Sequence, residues 1–351
     1  SFKRTYNSDE LFVLFHSKTK TTPLNLVNKP LSMWPNFSKD PFNFLLVLIC
    51  FLGGTVFSIA QQGDIGGERA SIRNQIGLRH DNDFILLTDR YYTAGLFLTY
   101  RHRLEKGLFN SENEQLTFSL GQEIITPSYL ITEDVQLLDR AYVGFSALRS
   151  GWSRVGRNSL IEANFLLGLA GRASGAGSLQ RWYHHSVMKT ETPTWVGEME
   201  NSVHYNLYTR YLYEWQLVPN PFSIHIATQS QFAFGTRDIY VYPELVAYFG
   251  KRNPLSGSIA HNQIGSTDSE IFFSLRGGYR LVGHNGLLEG NALGDDSVLL
   301  VASKTTVVYA GFDFQWRYGR NDYWVGVRYN APEFEGARSH QYVILSYTRG
   351  F

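Results

Sequence analysis

The chain has 351 residues, room for one large domain or two ordinary ones, and its 32 Lys and Arg against 31 Asp and Glu leave a formal net charge of +1. That balance supplies no bulk field for a polyanion, so nucleic acid is excluded as a partner recognised by charge. Aromatic residues reach 15%, with 21 Tyr, 24 Phe and 32 Gly, a composition that suits a membrane barrel with a lipid face alternating against a polar lumen, and also a water-soluble all-β protein.

In chain order the first element is the one continuous apolar run, Phe42 to Ala60, which holds the only cysteine, Cys50. Its core from Phe44 to Leu52 is short and is followed by Gly53 and Gly54. Ser58-Ile59-Ala60 then supplies a small-x-small site before Gln61. This pattern reads as a secretory leader cut after Ala60, with Met33 as a candidate start and Lys39 as a sparse basic flank. An anchoring helix is the alternative. Residues 1–60 are therefore assigned to an N-terminal extension and signal peptide and 61–351 to the folded domain. Without Cys50, that domain has neither a disulfide nor a thiol nucleophile.

Beyond Gln62 the hydropathy alternates with period two and shows almost no helical period. In the segment from Asn201 to Gln216, Val203, Tyr205, Leu207, Tyr211 and Trp215 share one face, while His204, Asn206, Arg210 and Glu214 fill the other. From Thr306 to Gly319, Val308, Ala310, Phe312, Phe314 and Trp316 oppose Tyr309, Asp313, Gln315 and Arg317. Strands are expected at 74–84, 90–103, 114–124, 139–151, 157–171, 200–217, 221–234, 239–250, 268–282, 304–318, 321–331 and 340–351. Twelve tilted strands of this length fit an antiparallel transmembrane β-barrel, with a β-sandwich as the competing all-β fold. Connections at 218–221, 236–239 and 318–321 are short, and those at 172–199, 251–267 and 283–303 are long. Barrels usually place short turns on the periplasmic side and long loops outside. The chain closes on His340 to Phe351, with Val343, Leu345 and Tyr347 on one face and an aromatic last residue. That ending resembles the signal by which outer-membrane proteins engage the barrel assembly machinery.

Three polar stretches stand out: His80-Asp81-Asn82-Asp83 with Thr88-Asp89-Arg90, then Gly121 to Ser128, then the glycine-rich Gly171 to Glu191 with His184 and His185 adjacent. An Asp/Asn cluster between strands usually forms a turn on its own backbone, and a loop histidine is usually just solvated. Taken in order, however, Asn-Asp-Phe, Thr-Asp-Arg-Tyr-Tyr-Thr-Ala-Gly-Leu, Gly-Gln-Glu-Ile-Ile-Thr-Pro-Ser, Asp-Arg-Ala-Tyr and Gln180-x3-His184 resemble the outer-membrane lipid A 3′-O-deacylase family. The likeness runs from about Gln75 to Phe351. It implies a twelve-stranded barrel acting on lipid A, the anchor of lipopolysaccharide, as a calcium-dependent esterase in outer-membrane lipid. It implies His184 as general base on water, Asn82 beside the oxyanion, Thr93 and Gln180 as supporting polar groups, Glu191 as the following acid and Asp83 as calcium ligand. Asp81, on the same strand face as Asp83, is a candidate second ligand. Two departures stand: Thr-Pro-Ser is not followed by the family's lysine, and His185 offers a second histidine next to His184.

The chemistry is coherent on its own terms. Ester hydrolysis needs a base near the working pH, which histidine supplies, and a positive group where the carbonyl oxygen gains charge, which a hard cation on carboxylates supplies. A serine nucleophile at Ser186 is disfavoured, because no Gly-x-Ser-x-Gly elbow is present. A phospholipase with the same site and a non-catalytic porin are the rival functions.

Overall fold

A computed structural model of the chain describes residues 72–351 except 84, 85, 87 and 110–112. The expected leader, its cleavage after Ala60 and Cys50 lie outside the described residues. Twelve strands follow: β1 (Asn74–Asn82), β2 (Tyr91–Arg103), β3 (Glu114–Thr126), β4 (Val143–Val155), β5 (Ser159–Ala170) and β6 (Ser202–Val218), then β7 (Ser223–Gly235), β8 (Asp238–Lys251), β9 (Glu270–Asn285), β10 (Thr306–Tyr318), β11 (Asn321–Asn330) and β12 (His340–Gly350). Each pairs antiparallel with its neighbours, and β1 pairs with both β2 and β12, so the sheet closes on itself. Closure runs from Gln75 opposite Gly350 to Asn82 opposite Val343 and removes the free edges of an open sheet.

The period of two decides which residues face lipid. Val203, Tyr205, Leu207, Tyr211 and Trp215 of β6 are exposed on the outer wall, as are Val308, Phe312, Phe314 and Trp316 of β10. The intervening charges meet inside. Arg210 pairs with Glu162 at 2.6 Å, Arg276 with Asp313 at 2.9 Å, and Arg328 with Asp313 at 2.6 Å. Arg317 pairs with Asp322 at 2.6 Å and Glu270 at 3.5 Å. Charges out of contact with lipid must be paired, and here the neighbouring strand supplies each partner. Among the described residues no helix is long and apolar enough to cross a membrane; the strands do so.

Strand β4 starts at Val143, four residues later than the alternation suggests. Asp139 and Arg140 are drawn into loop contacts, Asp139 accepting from the Ser128 amide at 2.8 Å and Arg140 donating to the Leu287 carbonyl at 2.6 Å. The chain therefore joins the ladder only after Tyr142. The long connection after β8 also differs from expectation. Chain order places it at the end where Asn74 and Phe351 hydrogen-bond and where the short turns 156–158, 219–222 and 319–320 lie, rather than with the long loops at 171–201 and 286–305. It folds into the barrel mouth. Leu255 and Ile259 pack among Leu160, Leu212, Val246 and Phe272. Gln115 Nε2 of β3 donates to the Asn262 carbonyl at 2.9 Å, and Arg317 Nη1 of β10, on the far wall, donates to the Gly257 carbonyl at 2.6 Å.

Candidate active site on the outer wall

The site begins where the strand period fails. In β3 the outward residues run Phe118, Leu120, Gln122, Ile124 and Thr126, with Phe118 and Leu120 exposed to lipid. Strand β2 matches this register up to Ala94 opposite Ile124, then resumes at Tyr92 opposite Ile125, leaving Thr93 as a bulge. The extra residue lets Tyr92 face the lumen while the Thr93 hydroxyl reaches Thr126 Oγ1 at 2.7 Å on the outer face. Regular alternation would have put Thr93 inside; the bulge turns it out.

Above this patch, the β5–β6 connection forms a short helix, α1 (Ala176–Tyr183), packed on the outside of the wall. Ala176 and Trp195 cluster with the outward Ile124 and with Tyr142. Gly144 gives the close approach: a Cβ there would sit 2.6 Å from the Ala176 Cβ and would also strike Ser174 Oγ. Trp195 stacks on Tyr142 at 5.2 Å and donates from Nε1 to Gln180 Oε1 at 2.8 Å, which fixes the glutamine and leaves its buried Nε2 unpartnered. The helix runs into a π turn, His184–Met188, stopped by Lys189 in the left-handed region at φ 52°. Such turns are enriched at functional sites because they rotate side chains out of helical register.

His184 Nε2 lies 3.7 Å from Asp89 Oδ2, across the gap between the helix and the β1–β2 loop. Its Nδ1 is 3.2 Å from the Glu191 carbonyl and 3.1 Å from Thr190 Oγ1. Donation of an Nδ1 proton to that carbonyl leaves the lone pair on Nε2, aimed at the loop.

The loop brings two carboxyl groups together. Asp83 Oδ2 accepts from the Arg90 amide and from Thr88 Oγ1, each at 3.0 Å, while Asp83 Oδ1 is buried without a partner. Asp89 Oδ1 is likewise buried and unpartnered. Burial first, and the facing Asp89 second, push the Asp83 carboxyl up to about 9. Burial also raises Asp89, with His184 and the Thr93 hydroxyl pulling it back. The buried Asp83 and the half-buried Asp89, each with an orphaned buried oxygen, form a site short of positive charge.

The remaining sequence candidates divide between the two faces of the wall. Asp81 is lumenal: it is held by Arg79, whose Nε donates at 2.7 Å and whose Nη2 also donates, and by the Tyr92 hydroxyl at 2.9 Å. Asn82 ends β1 in register opposite Ala94, on the outward face with Ile76 and Leu78. Glu191 is exposed and meets His184 through its backbone carbonyl. His185 is exposed, whereas His184 turns to the wall. Sequence reading assigned no role to Asp89, although it lay inside the first polar cluster; only the fold shows it between Asp83 and His184. Thr126 lay inside the second polar stretch with no role assigned to it, and Trp195 carried no polar-cluster signal at all. Among the described residues no group of three or more His, Cys, Asp or Glu side chains gathers as a metal cage.

A closed twelve-stranded antiparallel barrel with lipid-facing aromatics and a polar site between its outer wall and a loop helix defines an outer-membrane β-barrel protein. The family model for outer membrane protein LpxR matches residues 45–351, and the chain belongs to that family. Among solved structures it is similar to LpxR from Salmonella typhimurium, with a TM-score of 0.68 and 19% identity over 79% of this chain and 100% of that one. The KdgM porin (TM-score 0.37, 10% identity, 79% of this chain and 99% of that one) and the β domain of the Bordetella autotransporter Brka (0.42, 9%, 81% and 100%) are looser likenesses. Among curated proteins nothing matches.

Proposed function

We propose that this protein is an outer-membrane esterase that removes an ester-linked acyl chain from lipid A by histidine-activated water. The observation that carries the reading is His184 Nε2 facing Asp89, where Asp89 and the neighbouring Asp83 each keep a buried, unpartnered oxygen, on the lipid side of the barrel wall. A water between His184 and an ester carbonyl would lose its proton to Nε2, and the Glu191 carbonyl would stabilise the resulting imidazolium through Nδ1–H. Gln180, anchored by Trp195, presents Nε2–H to a carbonyl oxygen, and Asn82 and Thr93 line the outer face next to it. The wall and α1 exclude bulk water, and the exposed Leu120 and Leu148 below lead toward the acyl region of the leaflet.

Calcium fits this donor set: Asp83 Oδ1 and Asp89 Oδ1 would hold it, in place of the Asp81 expected from alternation, with backbone oxygens completing a hard-ligand shell. When bound, it supplies positive charge for the developing oxyanion.

The test is mass spectrometry of lipid A from cells making the wild-type chain, His184→Ala or Asp89→Asn. Wild type is expected to lose one acyl chain. His184→Ala is expected to slow release by about 10²–10⁴-fold, and chelation of calcium to stop it. Unchanged lipid A in wild-type cells would overturn the reading, and release from glycerophospholipids instead would make the protein a phospholipase.

A further inference from the structure

The tetrapeptide Asp139-Arg140-Ala141-Tyr142 lies outside the reacting groups, yet it touches both halves of the site. On one side is Tyr91. It is buried and sits at φ 61°, a left-handed conformation that a bulky side chain adopts only where its surroundings enforce it. Its hydroxyl donates to Asp139 Oδ2 at 3.1 Å and accepts from the Arg338 amide at 3.0 Å. Its ring packs edge-on against Phe334 at 5.6 Å and His340 at 6.0 Å. Asp139 is itself held by the Ser128 amide at 2.8 Å and the Ser128 hydroxyl at 2.6 Å. Tyr91 is the pivot where the chain leaves the loop carrying Asp89 and Arg90 and enters β2, two residues before the Thr93 bulge. On the other side, Tyr142 donates to the Leu130 carbonyl at 2.7 Å and stacks on Trp195, which holds Gln180 on the same helix that leads to His184.

We propose that Tyr91 and Asp139 form a clamp that sets the Asp89–Thr93 segment against His184 and so act as positioning residues for the hydrolysis. The proposal rests on the esterase reading. The clamp touches neither water nor ester. It holds the left-handed turn that aims the Arg90 amide at Asp83 Oδ2 and Asp89 at His184 Nε2. Loosening it misplaces the acid half relative to the base half while leaving the lipid-facing wall, and so substrate affinity, intact.

Tyr91→Phe, which deletes one oxygen, Asp139→Asn and Asp139→Ala in the full chain separate these effects on purified lipid A. The expected result is kcat lower by about 10-fold for Tyr91→Phe and Asp139→Asn and about 100-fold for Asp139→Ala, with KM within about twofold throughout. Amide exchange should quicken across 83–93 in all three and stay at the wild-type level in β6 to β10. Wild-type kcat and wild-type exchange in Tyr91→Phe and Asp139→Ala would overturn the clamp, as would faster exchange spread evenly round the barrel. Were the wild-type protein to release no acyl chain, the esterase reading would fail and exchange at 83–93 would alone decide the clamp.

Discussion

At the scale of single residues, Asp83 shows what the site costs. In an unfolded chain an aspartate titrates near 3.9; folded, burial and Asp89 hold this one up at about 9. Between those values the folded state carries a proton that the unfolded state has released, so stability falls as pH rises through the window. The expected outcome is a metal-free protein in detergent whose melting temperature declines from about pH 5 to about pH 9. Asp83→Asn should flatten that decline while abolishing lipid A hydrolysis, and added calcium should raise the melting temperature more at the alkaline end. An equal pH slope in wild type and Asp83→Asn would refute the assignment. The sequence made this cluster conspicuous but could not sort it. Asp81, Asp83 and Asp89 look alike in one dimension. What separates them is that Asp81 is neutralised by Arg79 inside the barrel, whereas Asp83 and Asp89 retain open oxygens.

At the scale of elements, the strands were legible because lipid on one side and paired charge on the other impose a period of two on each. The helix α1 was not. It has eight residues, and the face it turns to the wall is Ala176, Gly177 and Gln180, small or polar, while Leu179, Trp182 and Tyr183 are exposed. Its amphipathicity is inverted relative to a soluble helix, as suits an element with protein behind it and lipid beside it. The Thr93 bulge was equally silent, since no glycine marks it. The wall contact of α1 is set at the scale of a single carbon atom: Gly144 leaves room for no Cβ. Gly144→Val is expected to push α1 outward by roughly an ångström and lower kcat by about 10–100-fold. The barrel should still resist unfolding in cold detergent, with β-sheet circular dichroism unchanged. Full activity in Gly144→Val would show that the seat of α1 does not control the site.

At the scale of the whole molecule, the two ends do different work. The outer end carries the polar site; the end where Asn74 and Phe351 meet is stopped by the β8–β9 connection, beneath a lumenal cavity of about 220 Å³ lined by groups such as Arg101, Glu162, Asn164 and Trp324. The stopper is held by Glu214, which takes His225 at 2.9 Å, Arg252 at 3.1 Å and His261 at 3.3 Å. Burial drives His261 down to about 4, against the pull of Glu214 and with the push of Arg252 and Arg210, so it is neutral at physiological pH. A lumen so closed argues for a barrel used as a wall rather than as a pore, and in planar bilayers at neutral pH the protein should give no stable conductance steps. Glu214→Ala would strand Arg252 and His261 in the interior, a change that typically costs about 3–5 kcal/mol when a buried pair loses one partner. The melting temperature should drop and protease should cut within 252–269. Lipid A hydrolysis below the new melting temperature should stay within about twofold of wild type, because the sites lie at opposite ends of a rigid sheet and share no partners. A collapse of kcat in Glu214→Ala at temperatures where the barrel is still folded would show instead that the stopper and the outer site are energetically coupled through the wall.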